Sequence, residues 1–286
     1  MLELNLTKKQ SKKEATISFI GLGNMGSAIA RAISYQNKED KTNYSIGLFD
    51  ANPTQVSKER TFIEGEGTKT FSYKDITSLI KNSAIVVLCV KPQILPKIYD
   101  EIKISHNDET AFISIAAGVP LSTLSNNLAS NEIVRFMPNI AAKARASVTA
   151  VAPHNNCSKL HLSNAMNIAQ SIGQGFILSE DKFSAFIGIS GSAIAYIFEF
   201  AHAMALGGTR EGIPYDQSTE IAFSTMESAL ALYKMDKDNP INMMVKVCSA
   251  GGTTIEGIKA LAEGNFDDTV INAVSDAAQK SRDLEK

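Results

Sequence analysis

The sequence predicts an α/β protein, an N-terminal doubly wound parallel sheet followed by an all-helical C-terminal domain. Three observations carry that prediction. Up to about Leu178, short β-branched apolar runs alternate with segments whose apolar residues recur every three or four positions. A glycine-rich turn, Gly21-Leu22-Gly23-Asn24-Met25-Gly26, stands between the first run and the first such segment. Beyond Ser179 the spacing is helical, with no strand pattern among it.

Each element follows from local pattern. Thr16–Ile20 reads as a strand closed by Gly21, and Asn24–Tyr35 as a helix with Met25, Ala28, Ile29, Ala32 and Ile33 on one face. A polar loop, Gln36–Asn43, leads to a strand over Tyr44–Phe49. Further strands are expected at Ala84–Val90, Thr110–Ala116 and Glu132–Met137, with helical patterns between them. A strand pair, Ser147–Val151 and Gly175–Leu178, flanks a helix over Ser158–Ile172. Asp181–Gly207, Thr219–Leu232 and Asp268–Leu284 are the helices of the second half. The first of these is apolar on too many faces for a lone surface helix, so part of it must meet something beyond its own core.

Composition bounds the function. The 286 residues are 44% hydrophobic and 20% charged, ordinary for a globular chain of two domains. A formal net charge of -2 argues against nucleic acid, whose phosphates call for a basic excess. Three widely spaced cysteines, Cys89, Cys157 and Cys248, imply no disulfide framework and fit a reducing, cytoplasmic setting. Residues 1–15 read as a polar tail with Lys8, Lys9, Lys12 and Lys13, neither signal peptide nor membrane span. No membrane partner is expected.

The glycine turn carries the first chemistry. Between a strand and a helix, Gly21 permits the tight turn, Gly23 lets backbone approach a pyrophosphate, and Gly26 allows close helix–strand packing. Asn24 and Met25 open the helix, whose exposed amides face phosphates. Asp50 ends the second strand, where a carboxylate accepts from adenosine ribose hydroxyls, although Asp-Ala-Asn-Pro is also good turn or cap chemistry. Val90-Lys91-Pro92 follows a strand end that should face a cofactor, with Lys91 either meeting an anion or simply solvated. The domains expected are therefore the tail over 1–15, a Rossmann-type dinucleotide-binding domain over 16–178, and a helical domain over 179–286.

Three fragments escape periodicity: Ala116-Ala117-Gly118-Val119, Met137-Pro138-Asn139, and Cys248-Ser249-Ala250-Gly251-Gly252-Thr253-Thr254-Ile255. Small residues, two glycines and two threonines before a helix opening at Ile255 expose amides and hydroxyls at a positive helix end, a cradle for a carboxylate. On those residues alone a threonine-capped loop is the simpler reading. His154, Cys157 and His161 have zinc-like spacing but no fourth ligand nearby, and their polar neighbours point to a solvent-facing helix start, so no metal site is expected.

Taken in order, Ile20–Gly26, Val90-Lys91-Pro92, Ile115–Val119, Arg135–Asn139, Ser190-Gly191-Ser192 with Ala195-Tyr196, Arg210–Pro214 and Gly251-Gly252-Thr253-Thr254-Ile255 resemble the pyrroline-5-carboxylate reductases. The likeness runs from about Thr16 to Leu284. It implies reduction of a cyclic imine carboxylate, L-1-pyrroline-5-carboxylate, to L-proline with NADH or NADPH, and a helical domain that interlocks two subunits into a homodimer or larger homo-oligomer. It also implies cofactor contacts at Gly21, Gly23, Asn24, Met25, Asp50, Val90, Lys91, Pro92, Ala117 and Asn139. The substrate carboxylate falls to Gly251, Gly252, Thr253 and Thr254 with Ser249 assisting, and the Thr254 hydroxyl to the imine nitrogen. Asp50 favours NADH, since a carboxylate repels the 2′-phosphate of NADPH; Lys58 and Arg60 lie too far along the next helix to neutralise it.

The chain departs from the family where prolines are lost. Ala193-Ile194, Ala250 and Ile140-Ala141 stand where the family has Gly-Pro, Pro and Thr-Pro, and a lysine before the cradle is replaced around Met244. Each lost proline removes stiffness from a loop, which bears on the choice among related imines. A β-hydroxyacid dehydrogenase opens on a near-identical glycine turn but needs a lysine where this chain has Ile197. A non-catalytic dinucleotide-binding paralogue is opposed by the intact Thr253-Thr254 pair.

Overall fold

The structure, a computed structural model, describes residues 16–40, 42–106 and 109–284. The tail over 1–15 lies outside the described residues. Eight strands form one sheet in the order β3-β2-β1-β4-β5-β6-β7-β8. They are β1 (Thr16–Ile20), β2 (Ser45–Phe49), β3 (Thr70–Ser72), β4 (Ile85–Leu88), β5 (Ala111–Ser114), β6 (Ile133–Met137), β7 (Ser147–Pro153) and β8 (Gly173–Ile177). The sheet's helices are α1 (Asn24–Asp40), α2 (Pro53–Gly65), α3 (Ile76–Lys81), α4 (Tyr99–Ser105), α5 (Leu121–Leu128), α6 (Lys159–Ser171) and α7 (Phe183–Phe186).

Alternating strand side chains divide the core into two layers, as a sheet buried on both faces requires. Ile17 and Phe19 of β1 join Ile29 and Ile33 of α1, Ile63 of α2 and Ile168 of α6 on one face. Ile20 joins Leu79 of α3, Ile102 of α4, Leu124 of α5 and Phe183 of α7 on the other. β1 to β6 run parallel, with Ile17 opposite both Ile46 of β2 and Ile85 of β4. Strand order reverses between β1 and β4, so their carboxyl-end loops flank the crevice where such sheets bind ligands.

Three expectations need correction. α1 runs through Gln36–Asp40 instead of ending at Tyr35, because Gln, Lys and Glu are good helix formers and no glycine or proline stops them. β3 is a short edge strand absent from the sequence reading. The sheet is not wholly parallel: β6 pairs antiparallel with β7, and β8 follows β7. Only residues 138–146, built around a 3-10 turn at Ile140–Ala144, join β6 to β7, too short a connection for a parallel crossover. The first compact unit runs to Phe186, because Phe183 and Phe186 pack in the sheet's second layer. The sheet unit also takes in the chain from Asp283, and Ile187–Arg282 forms the second unit.

The second unit is helical. A π-helical turn, Ile187–Gly191, precedes α8 (Ala193–Arg210), α9 (Tyr215–Asp236), α10 (Pro240–Val247), α11 (Thr253–Glu263) and α12 (Phe266–Leu284). Gly188 lets the backbone of α12 approach: a Cβ there would lie 2.4 Å from the Val274 carbonyl oxygen. Tyr196 donates to the Ala273 carbonyl at 3.1 Å, tying α8 to the same helix.

Candidate functional site

The glycine turn has the geometry its sequence calls for. Gly21 has φ +97°, and a Cβ on it would press the Cys89 and Val90 backbone at 3.0 Å. At Gly26 a Cβ would lie 2.2 Å from the Gly21 carbonyl oxygen, so only glycine lets α1 start this close to β1. A Cβ on Gly23 would meet nothing within 4 Å. That open side, with Gly23 and Asn24 exposed at the head of a helix, is where an anion can reach backbone amides.

Asp50, half-buried at the end of β2, closes on the same turn. Its Oδ2 accepts from the Leu22 N–H at 2.7 Å and its Oδ1 from the Asn52 N–H at 2.8 Å. The cap of α2 is Asn52, whose side chain accepts from the Thr54 N–H. Asp50 therefore makes an Asx turn without capping the helix, and each oxygen keeps lone-pair capacity for a further donor. Gly23, Asn24 and Asp50 line one cavity of about 630 Å3 with Gln55, Lys58 and Arg31 among others. Lys58, set aside on sequence distance, is thus brought to the cavity that Asp50 lines; one helical turn from Thr54 suffices. Arg60 instead pairs with Glu64 at 2.9 Å.

The remaining residues assigned to the cofactor stand on the same edge of the sheet. Val90, Lys91 and Pro92 follow β4, Ala117 follows β5 and Asn139 follows β6, each past the carboxyl end of a parallel strand. Lys91 and Ala117 are exposed. Asn139 is 6% exposed and its side chain accepts from the Ala141 N–H at 3.2 Å, capping the 3-10 turn that follows. Met25 is half-buried and packs against the core on the α1 face.

In the helical unit, the fragment from Ser249 forms a tight turn into α11. The Gly252 N–H donates to the Ser249 carbonyl at 3.1 Å, Gly251 has φ +67°, and a Cβ on Gly252 would lie 2.2 Å from Ser249 Oγ. α11 starts two residues earlier than expected, at Thr253, with Gly252 as N-cap and no side chain accepting from its leading amides. The threonine-capped loop is therefore not what forms. Thr253 and Thr254 are the first two helical residues, and the amides of that first turn remain available to a ligand.

His161 departs from its expected solvent-facing place: it is 3% exposed, with Nε2 2.9 Å from the Phe112 carbonyl oxygen. Loss of water holds its pKa below the ordinary histidine value, against the pull of that carbonyl and of Glu132. Burial, reinforced by Glu132, pushes the Cys157 thiol up to about 11, and burial also pushes up that of Cys89. Neither is a ready thiolate.

Among known proteins, residues 180–284 match the family model described as pyrroline-5-carboxylate reductase dimerisation, and residues 16–118 the one described as NADP oxidoreductase, coenzyme F420-dependent. A pyrroline-5-carboxylate reductase of Aquifex aeolicus is 32% identical over 269 residues, covering 94% of this chain and 97% of the relative. One of Methanosarcina acetivorans is 32% identical over 271 residues, covering 94% and 98%. A solved pyrroline-5-carboxylate reductase from Coxiella burnetii matches with a TM-score of 0.85 at 27% identity, covering 96% of this chain and 99% of that one.

Proposed function

Because the chain belongs to the pyrroline-5-carboxylate reductase family, we propose that it reduces L-1-pyrroline-5-carboxylate to L-proline with a nicotinamide cofactor, the closing step of proline biosynthesis. The observation that carries this reading is the first turn of α11, with a glycine N-cap, no side chain on its leading amides, and Thr253 and Thr254 at its head. A helix start of that kind suits a small carboxylate.

The sheet unit fits a dinucleotide. The open side of Gly23 and the close approach at Gly26 are what a pyrophosphate at the head of α1 requires. Gly21, Gly23, Asn24 and Met25 would hold that group, and Asp50 the adenosine ribose. Val90, Lys91, Pro92, Ala117 and Asn139 follow strand ends on the same edge. When bound, the reduced nicotinamide supplies the hydride. In the helical unit, amides of Gly251, Gly252, Thr253 and Thr254 take the substrate carboxylate with Ser249 assisting. The Thr254 hydroxyl hydrogen-bonds the imine nitrogen and orients the ring. The protonated imine brings its own proton, so hydride addition at carbon yields the secondary amine without a strong general acid on the chain.

NADH is the preferred cofactor in this reading, because the Asp50 carboxylate receives ribose hydroxyls and repels a 2′-phosphate. Lys58, on the same cavity, is the cation through which NADPH would regain affinity. The assembly is a homodimer. Glu180–Arg210 is long and apolar enough, by length and composition, to cross a membrane. In this reading its exposed apolar side chains are covered by a second copy of this chain, which the match of residues 180–284 to a dimerisation model supports. Free cysteines at 89, 157 and 248 accord with a reducing compartment.

Following reduced-cofactor absorbance while pyrroline-5-carboxylate is titrated tests the reading. Oxidation that depends on the imine, with proline as product, is expected. Tight cofactor binding without turnover of this or a related cyclic imine would overturn it.

A further inference from the structure

Glu59 of α2 is 1% exposed, a buried carboxylate lining the same cavity as Gly23 and Asn24. A buried anion beside a site for another anion weakens binding unless something cancels its charge. Arg31 of α1 does so with a two-point pair, Nε to Oε2 at 2.7 Å and Nη2 to Oε1 at 2.9 Å, while its guanidinium lies 4.1 Å from the centre of the Phe62 ring. Glu59 has a second duty. Its Oε1 is 3.3 Å from Nε2 of Gln55, and the same nitrogen donates to the Leu22 carbonyl at 2.7 Å. Ser27 Oγ donates to that carbonyl at 2.7 Å. The Leu22 N–H is held by Asp50. Both backbone polar groups of Leu22 in the glycine turn are thus held, the N–H by Asp50 after β2 and the carbonyl, which shares a peptide unit with the Gly23 N–H, from α1 and α2.

We propose that Gln55, oriented by Glu59 and Arg31, is a positioning residue of the cofactor site, holding the peptide between Leu22 and Gly23 so that the amides of Gly23 and Asn24 stay aimed at the pyrophosphate. The proposal rests on the reading that the glycine turn holds a dinucleotide. Gln55 touches no phosphate itself; it acts through the Leu22 carbonyl. The ion pair beneath it sets its amide the right way round, since one N–H must point to Leu22 and the other to Glu59. A pair that served stability alone would not need the glutamine between it and the turn.

The test is cofactor affinity set against thermal stability, in the full chain. Gln55→Met keeps length and removes the donors; the Kd for NADH, read by fluorescence titration, should rise about tenfold. The kcat at saturating NADH and the KM for pyrroline-5-carboxylate should stay within about twofold of wild type, as expected when only cofactor positioning is lost. Gln55→His, which retains an N–H donor, should recover part of the loss. Ser83→Ala is the control: it breaks the buried hydrogen bond from Ser83 Oγ to Ser18 Oγ at 2.6 Å, outside the residues lining that cavity, and should lower Tm while leaving Kd unchanged. If Gln55→Met does not fold, Ser27→Ala removes the other donor to the Leu22 carbonyl and should raise Kd in the same direction. Wild-type Kd in Gln55→Met, or a rise in Ser83→Ala that matches it, would overturn the proposal. A wild-type chain that binds neither NADH nor NADPH would overturn the dinucleotide reading first, before any variant is compared.

Discussion

The two units place their apolar side chains in opposite ways. In the sheet unit the large ones are inside: Phe19, Phe112, Phe136 and Phe183 are fully buried. In the helical unit the buried apolar side chains, among the described residues, are those of Ala201, Ala205, Ala222 and Ala278. Its Ile197, Phe198, Phe200, Ile221 and Phe223 are exposed. Alanines let helices approach closely but remove little area from water, and burial contributes only about 25 cal/mol per Å2 of apolar surface. A sheet buried on both faces carries its own core. A helical array that turns its large side chains outward needs a second copy to cover them.

The largest expected effect comes from breaking the unit that lacks a core. Phe198→Asp puts a carboxylate on the exposed apolar face of α8, where burial of the phenyl contributes about 1.5–3 kcal/mol in each copy. Sedimentation at low micromolar concentration should report a dimer or larger for wild type, and loss of dimer and activity together in the variant. A stable, active wild-type monomer would break the comparison.

In the sheet unit the sharpest contrast lies within one turn. Gly26→Ala sets a Cβ 2.2 Å from the Gly21 carbonyl oxygen, so strand and helix must part. Cofactor affinity should fall by tenfold or more, about 1.4 kcal/mol, with a lowered Tm. Gly23→Ala meets nothing in the protein and should leave Tm unchanged while still weakening cofactor binding. Calorimetry on both variants checks the pair. If Gly23→Ala binds cofactor like wild type, its open side is not where the pyrophosphate lies.

A smaller effect separates the two cofactors. Like charges about 4 Å apart repel by roughly 1–4 kcal/mol near a protein surface, so Asp50→Ser should shift the NADPH-to-NADH ratio of kcat/KM upward by about tenfold. A wild-type preference for NADPH would mean that Lys58, on the same cavity, outweighs Asp50.

The smallest is a pH effect on the sheet unit. Burial holds the folded-state pKa of His161 below its ordinary value, so the unfolded chain takes up that proton more readily. Stability should therefore decline as pH drops below about 6.5, flattening once both states are protonated. His161→Gln keeps a donor for the Phe112 carbonyl and removes the titration, so urea unfolding between neutral pH and pH of about 5 should show a shallower decline. An identical slope in both proteins would remove His161 from the acid response.

How much of this was legible in the sequence follows from the range of the interactions. The glycine turn, the carboxyl-end loops and the strands β1, β2, β4, β5 and β6 are local, written in β-branched runs and glycine spacing. β3 was not, because Thr70-Phe71-Ser72 is three residues, half-buried or exposed, with no run to mark it. The direction of β7 depends on how little chain follows Met137. The α11 cap is hidden from local pattern because threonine is a good cap in general, whereas here glycine takes that place and the threonines enter the helix. Gln55, Glu59 and Arg31 went unseen because the contacts between α1 and α2 join residues 28 or more apart. Polar pairing at that distance leaves no periodicity.

The proposed division of labour sets the dinucleotide on the glycine turn of the sheet unit and the imine carboxylate and nitrogen on the first turn of α11. Its most direct test is Thr254→Ala, assayed in one preparation for NADH affinity and for kcat/KM with pyrroline-5-carboxylate. A hydrogen bond to a charged group contributes about 1.5–3 kcal/mol, so kcat/KM should fall by more than tenfold while the Kd for NADH stays at the wild-type value. An unchanged kcat/KM, or a loss of NADH affinity in its place, would contradict the account.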